Sequence, residues 1–241
     1  MSTLFNAPMT TKTAIKNREY RFEVKVPIPL NRLQAVQTWL MNHPLLFAQH
    51  HQPRHVNSLY LDTPLLDRYE ENLSGISTRK KVRIRWYGDL DKAIQAKLEF
   101  KHRQGGKGYK VTFDTSLNLS QADFNWAKAL LKAYRDLPLE AQLLWGSEHS
   151  PIIICRYSRQ YYISHCNKIR ATIDENMQAF DQRYRVANNL SRPVSLGDYV
   201  LLELKTNGEN EQALSTLLST CPLRPSRHSK YVNSIRNLIW S

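Results

Sequence analysis

The segment Ser77-Thr-Arg-Lys-Lys-Val-Arg-Ile-Arg-Trp-Tyr-Gly88 alternates Lys81, Arg83 and Arg85 with Val82, Ile84 and Trp86. A strand has a side-chain period of two, so the three cations share one face and the three apolar groups share the other. Like charges side by side repel unless something negative lies between them. On one strand alone, this alternation is the ordinary mark of a solvated outer face. Its recurrence along the chain is what decides the fold.

Working outward, the same alternation of ionic and apolar residues is found at 21–25, 97–103, 108–112, 170–174 and 202–205. Arg21, Glu23 and Lys25 oppose Phe22, Val24 and Val26, and Pro27 and Pro29 are expected to end that strand. Lys97, Glu99, Lys101 and Arg103 oppose Leu98 and Phe100. A glycine-rich turn at 104–108 then leads into a return strand at 109–115, giving a hairpin. Glu203 and Lys205 oppose Leu202 and Leu204. Further strands are predicted at 56–62, 151–164 and 177–186, with loops at 43–55 and 188–197. Helices are predicted from Asn31 to Asn42, at 65–72, at 120–134 with Ser120 and Asp123 as a weak capping box, at 138–145, and at about 209–219 and 227–239. No composition shift or internal repeat divides the chain. The expectation is a polar tail at 1–17 and a single domain at 18–241.

The helices need apolar surface to lie on. If they cover the outside of a barrel, the apolar strand faces look outward and the ionic faces inward. This is the inverse of a small barrel filled by side chains. The fold class expected is α+β: an antiparallel eight-stranded β-barrel tunnel with helices packed outside. The alternative is a two-layer fold whose ionic faces lie in solvent. A lumen lined by Arg and Lys carries a penalty of several kcal/mol per buried unpaired ion. Glu23, Glu99, Asp174 and Glu203 offset part of it, and water and a bound polyanion must supply the rest.

Composition fits such a partner. The chain of 241 residues has 34 Lys+Arg against 21 Asp+Glu, a net charge of +13. That excess implies nucleic acid, an anionic membrane or a phosphate-rich small molecule. No RNA- or DNA-binding motif accompanies it, which argues against nucleic acid. Cys155, Cys166 and Cys221 lack metal-ligand spacing and read as free thiols. With no signal-peptide core and no apolar run long enough for a membrane span, a cytoplasmic protein is expected.

Taken together, Arg21-x-Glu23-x-Lys25, Ser58-Leu-Tyr-Leu-Asp-Thr63, Lys81-x-Arg83-x-Arg85, Leu98-Glu-Phe-Lys101, Tyr157-x-Arg159, Arg170-x-Thr-x-Asp174, Leu202-Glu-Leu-Lys205 and Ser229-Lys-Tyr231 resemble the VTC domain. This is the catalytic domain of the vacuolar transporter chaperone polyphosphate polymerases, in the triphosphate tunnel metalloenzyme superfamily. The resemblance implies a phosphotransferase that moves the γ-phosphoryl of ATP to a growing polyphosphate chain and releases ADP. It assigns phosphate contacts to Lys25, Arg83, Arg85, Lys101, Lys110, Arg159, Arg170 and Lys230, with Tyr157 and Ser229 as further contacts and Glu203 as ligand of Mn²⁺ or Mg²⁺. Lys81 and Lys205, on the same faces, are assigned to substrate binding. The implied partners are ATP and inorganic polyphosphate.

Two departures from family patterns bear on function. The SPX sensor and membrane region of eukaryotic members find no counterpart in this sequence, which leaves any membrane partner open. Hydrolytic relatives with the CYTH pattern begin Glu-x-Glu-x-Lys, and here Arg21 takes the first place. Losing that carboxylate weakens metal binding and water activation and favours a polymerase. The alternatives are a metal-dependent triphosphatase and a polyphosphate-binding module without turnover. The histidines show no metal spacing, and Tyr60, Tyr157 and Tyr161 read as structural aromatics.

Overall fold

Arg79–Tyr87 forms β3, in which Val82, Ile84 and Trp86 are fully buried and the intervening cations are partly exposed. It pairs antiparallel with β4 (Lys92–Gln104), setting Arg83 opposite Glu99 and Lys81 opposite Lys101. The computed structural model describes residues 21–104 and 107–240, and the side chains of Arg21, Lys107 and Trp240 are not among those described. The expected tail at 1–17 and the tip of the hairpin turn, Gly105-Gly106, lie outside the described residues. Beyond the turn, β5 (Lys107–Asn118) pairs with β4. On the other side of β3 the sheet continues through β2 (Ala48–Asp62), β6 (Ser150–Ile163), β7 (Ile169–Asp181), β9 (Tyr199–Asn207) and β1 (Arg21–Pro29), all antiparallel. A short β8 (Pro193–Ser195) pairs with β7 off this path.

The curled sheet has one apolar outer face. Over β3 and β4 lie α3 (Trp126–Arg135) and α4 (Leu139–Trp145), where Leu130 and Trp145 meet Val82, Ile84, Leu98 and Phe100. Over β1, β7 and β9 lie α1 (Leu33–Asn42) and α5 (Glu211–Ser219), where Val36, Leu40 and Leu214 meet Val26, Ile173 and Leu202. Each fully buried aliphatic or aromatic side chain contributes about 1.5–3 kcal/mol of burial. This is the driving force that turns the ionic rows inward.

Two helices sit elsewhere. Both α2 (Asp67–Leu73) and α6 (Lys230–Trp240) join the cluster of Tyr60, Ile153, Cys155, Tyr157, Met177 and Leu201, which share strand faces with the cations. They therefore occupy the inner face, at one end. Tyr231 of α6 stacks on Tyr60 with ring centroids 5.1 Å apart, and its hydroxyl donates to Asp62 at 2.5 Å. So the inner surface is apolar under α6 and ionic beyond it. No helix among the described residues is long and apolar enough to cross a membrane.

Among the described residues, the ring is not closed by hydrogen bonds. β1 and β5 are the sheet edges and touch without a backbone ladder. That open edge explains why Pro27 and Pro29 continue β1 instead of ending it. The Lys25 carbonyl accepts from the Ser226 N–H, so the odd-numbered residues of β1 aim their backbone groups away from β9. Proline at those positions removes no ladder bond.

Other boundaries also differ from expectation. The predicted loop at 43–55 is in large part β2, whose exposed first half pairs irregularly with β6. The strands predicted at 170–174 and 177–186 are one strand, interrupted at Asn176, whose φ is +51°. Asn125, not Ser120, caps α3 by accepting from the Lys128 N–H at 3.1 Å. Asn31 lies in a single 3₁₀ turn, and α1 has no side-chain cap.

Candidate functional site

The deepest ionic group joins β6, β7, β9 and α6. Arg159 grips Asp174 with two hydrogen bonds, at 2.5 and 2.6 Å, and reaches Glu203 at 3.3 Å. Lys230, the first residue of α6, bridges the same two carboxylates at 2.5 and 3.0 Å. All four are buried. The Tyr157 ring lies beneath the two cations, 4.6 Å from Lys230 Nζ and 5.1 Å from the Arg159 guanidinium. Burial alone would raise the Glu203 carboxyl, but Lys205, Lys230 and Arg159 hold it well below the usual carboxylate range. Burial likewise opposes charge on Lys230, and Asp174 and Glu203 overcome it and raise its pKa.

A second group stands on β3, β4 and β5. Glu99 is 4% exposed and takes Arg83 at 2.6 Å and Lys110 at 2.9 Å, with Arg85 farther off at 3.9 Å. Burial works against ionised Glu99, yet Arg83, Arg85 and Lys110 depress its pKa strongly. Arg83 also donates to the Tyr60 hydroxyl at 3.3 Å, and Arg85 to the Ser58 hydroxyl at 3.4 Å.

The two groups are joined across the bore. Glu23 on β1 pairs with Lys25 at 3.1 Å and with Lys101 of β4 at 2.7 Å. Lys25 also donates to the His228 carbonyl at 3.2 Å. Lys81 donates to the Ser229 hydroxyl at 2.9 Å, and Ser229 in turn caps the first turn of α6. Burial, followed by Lys25, Lys101, Arg79 and Arg83, lowers the Lys81 pKa well below the ordinary lysine value. Lys81 thus stands among cations with a neutral hydroxyl as its hydrogen-bond partner.

The predicted positions therefore converge on one inner surface. Lys25, Lys81, Arg83, Arg85, Lys101, Lys110, Arg159, Lys205 and Lys230 all lie on it, with Ser229 at its edge. Arg170 continues the inner row of β7 toward the open end, is exposed, and faces Lys205 on β9. It has no ion-pair partner among the described residues. Tyr157 is placed as a floor beneath Lys230 and Arg159. Glu23 and Glu99 hold ion pairs with the surrounding cations. The cations outnumber Glu23, Glu99, Asp174 and Glu203, so the surface keeps a positive excess that an anion can neutralise.

No group of three His, Cys, Asp or Glu side chains able to hold a metal occurs among the described residues. What the site offers is hard oxygen. Opposite Glu203 on β7 stands Thr172, whose Oγ1 is buried without a hydrogen-bond partner. One carboxylate and one unengaged hydroxyl, beside cations that attract phosphate, fit a hard dication that shares its shell with phosphate oxygens and water.

Sequence reasoning gave Thr172 no role of its own and placed Asp174 among the offsetting carboxylates without identifying Arg159 and Lys230 as its partners. It also missed Arg54, Tyr87 and His51, which stand beside Tyr161 at the open end. The period-two rows that located Arg85 and Arg159 also pass through Tyr87 and Tyr161, so that signal was present.

A family model described as the VTC domain matches residues 20–239. No curated protein matches the chain. Among solved structures, HpAC1 from Hippeastrum is similar in fold, with TM-score 0.50 and 15% identity over 90% of this chain and 95% of that one. It is described as a candidate adenylyl cyclase with a dominant triphosphatase activity. A candidate adenylate cyclase from Vibrio parahaemolyticus has TM-score 0.48 and 10% identity over 90% of this chain and 98% of that one.

Proposed function

For this chain, which belongs to the VTC domain family, we propose an ATP-dependent polyphosphate polymerase. Family and fold support a triphosphate-handling role. The finer reading is transfer of the γ-phosphoryl of ATP to the end of an inorganic polyphosphate chain. The bond between the γ-phosphorus and the β–γ bridging oxygen breaks, a terminal phosphate oxygen of the acceptor bonds to that phosphorus, and ADP leaves.

The observation that carries this reading is the excess of cations over carboxylates along the bore, with Arg170 left without an ion-pair partner among the described residues. Phosphoryl transfer asks mainly for alignment and for neutralisation of charge on the equatorial and leaving oxygens. Arg85 carries a guanidinium fork suited to phosphate oxygens, while Arg83, whose Nε and Nη2 rest on Glu99, brings its charge to the same face. Lys101, Lys110 and Lys25 add point charges from the neighbouring strands. The acceptor phosphate is already ionised near neutral pH, so no general base is required. Lys205 is 31% exposed and sits 2.7 Å from Glu203. It is more exposed than Arg159 or Lys230, and if it turns toward phosphate it leaves Glu203 Oε2 with only the longer Arg159 contact at 3.3 Å. When bound at Glu203 and the phosphate oxygens, Mg²⁺ or Mn²⁺ supplies further charge neutralisation.

The test is product analysis. Purified protein incubated with ATP and Mn²⁺ yields ADP and long-chain polyphosphate on this reading. Orthophosphate as the sole product replaces it with a triphosphatase. Tight, salt-sensitive binding without turnover replaces it with a binding module.

A further inference from the structure

The inner rows do not stop at the cations. One step beyond Arg85 on β3 is Tyr87, one step beyond Arg159 on β6 is Tyr161, and Arg54 prolongs the inner row of β2 past Val56 and Ser58. These three side chains meet at the open end. The Arg54 guanidinium lies 4.0 Å from the centroid of the Tyr87 ring and 5.1 Å from that of Tyr161, and its Nε donates to the Tyr161 hydroxyl at 3.0 Å. His51 meets the Tyr161 ring edge-on, with centroids 5.6 Å apart. Tyr87 is 42% exposed, so this ladder of π-faces is accessible from solvent.

Along the bore the surface thus runs from the apolar seat of α6, through the phosphate-binding cations, to an aromatic and guanidinium rim. One inner-row step is about 7 Å, a distance that a pentose spans. A ligand matching this order has phosphates at one end and a planar group at the other. We infer that the Tyr87–Arg54–Tyr161 ladder is a stacking platform for the base of a nucleoside triphosphate. This rests on the triphosphate reading above and deepens it by naming how the donor is told from an inorganic triphosphate. Stacking on tyrosine and arginine faces is tolerant of base identity, because every base has a π-face. The platform therefore selects a nucleotide over tripolyphosphate without selecting adenine.

The experiment is titration calorimetry of the full chain with ATP and, separately, with tripolyphosphate, for wild type and Tyr87→Leu. Tyr87→Leu weakens ATP binding about tenfold and leaves tripolyphosphate binding within about twofold, the latter also reporting that the tunnel is folded. In wild type, ATP, GTP and CTP bind within about threefold of one another. Unchanged ATP affinity in Tyr87→Leu, or equal loss for both ligands, overturns the platform alone. A strong preference for one base overturns recognition by stacking. Wild-type protein that binds neither ligand overturns the phosphate-binding reading and the platform with it.

Discussion

Glu23 of β1 and Lys101 of β4 meet at 2.7 Å across the gap where no backbone ladder joins the sheet edges. Burial would raise the Glu23 carboxyl, but Lys205, Lys25 and Lys101 keep it well below the usual range. Glu23→Gln therefore removes the charge that holds three lysines together. It should lower thermal stability by about 1–2 kcal/mol, and saturating tripolyphosphate should restore most of the loss. Thermal unfolding with and without tripolyphosphate measures both; a loss that the ligand does not restore would place the role of Glu23 outside the anion site.

Arg83→Ala should abolish polyphosphate synthesis while the fold survives. Glu99 keeps Lys110 at 2.9 Å, so the buried carboxylate is not left bare. Circular dichroism and product analysis on the same preparation separate the outcomes. Loss of the native spectrum would show that the arginine is structural.

Lys81 predicts a pH dependence of binding. A polyanion restores the proton that burial and the neighbouring cations disfavour, so binding takes up a proton. Affinity for tripolyphosphate should fall as pH rises through the lowered Lys81 pKa, before ordinary lysines titrate. Lys81→Met should bind more weakly at the low end of that range, converge on wild type as pH rises, and so flatten the dependence. Calorimetry in buffers of different ionisation enthalpy reads the proton uptake directly.

His228 predicts a pH dependence of stability. Burial, then Lys230 and Lys25, push its pKa down to about 4, below the unfolded value of about 6.5. The unfolded chain binds the extra proton between those limits, so stability falls as pH drops from about 6.5 to 4. The slope from this group is at most about 1.4 kcal/mol per pH unit. His228→Gln should flatten the melting temperature across that window. The depressed carboxyls of Glu99, Asp174 and Glu203 act lower, their contribution being lost as pH falls below about 4.

The alternation in β3 was enough to place Arg83 and Arg85 inward, because six strands with the same two-faced pattern can bury their apolar sides only against outer helices. What alternation could not show was pairing. Asp174 is one polar residue among several in sequence, and only register brings it to Arg159. Nor could it show that α6 sits inside, since the apolar inner end of β6 and β9 reads like any buried strand. Pro27 and Pro29 misled because their cost depends on which way the backbone groups point, and that follows from β1 being an edge. Residues 48–55 misled because exposed polar side chains with proline resemble a loop, whereas β6 gives them a partner.

The unlaced border between β1 and β5 has one more consequence. A sleeve whose two hems, among the described residues, are fastened by side chains keeps its main-chain ladders whole when those fastenings are undone.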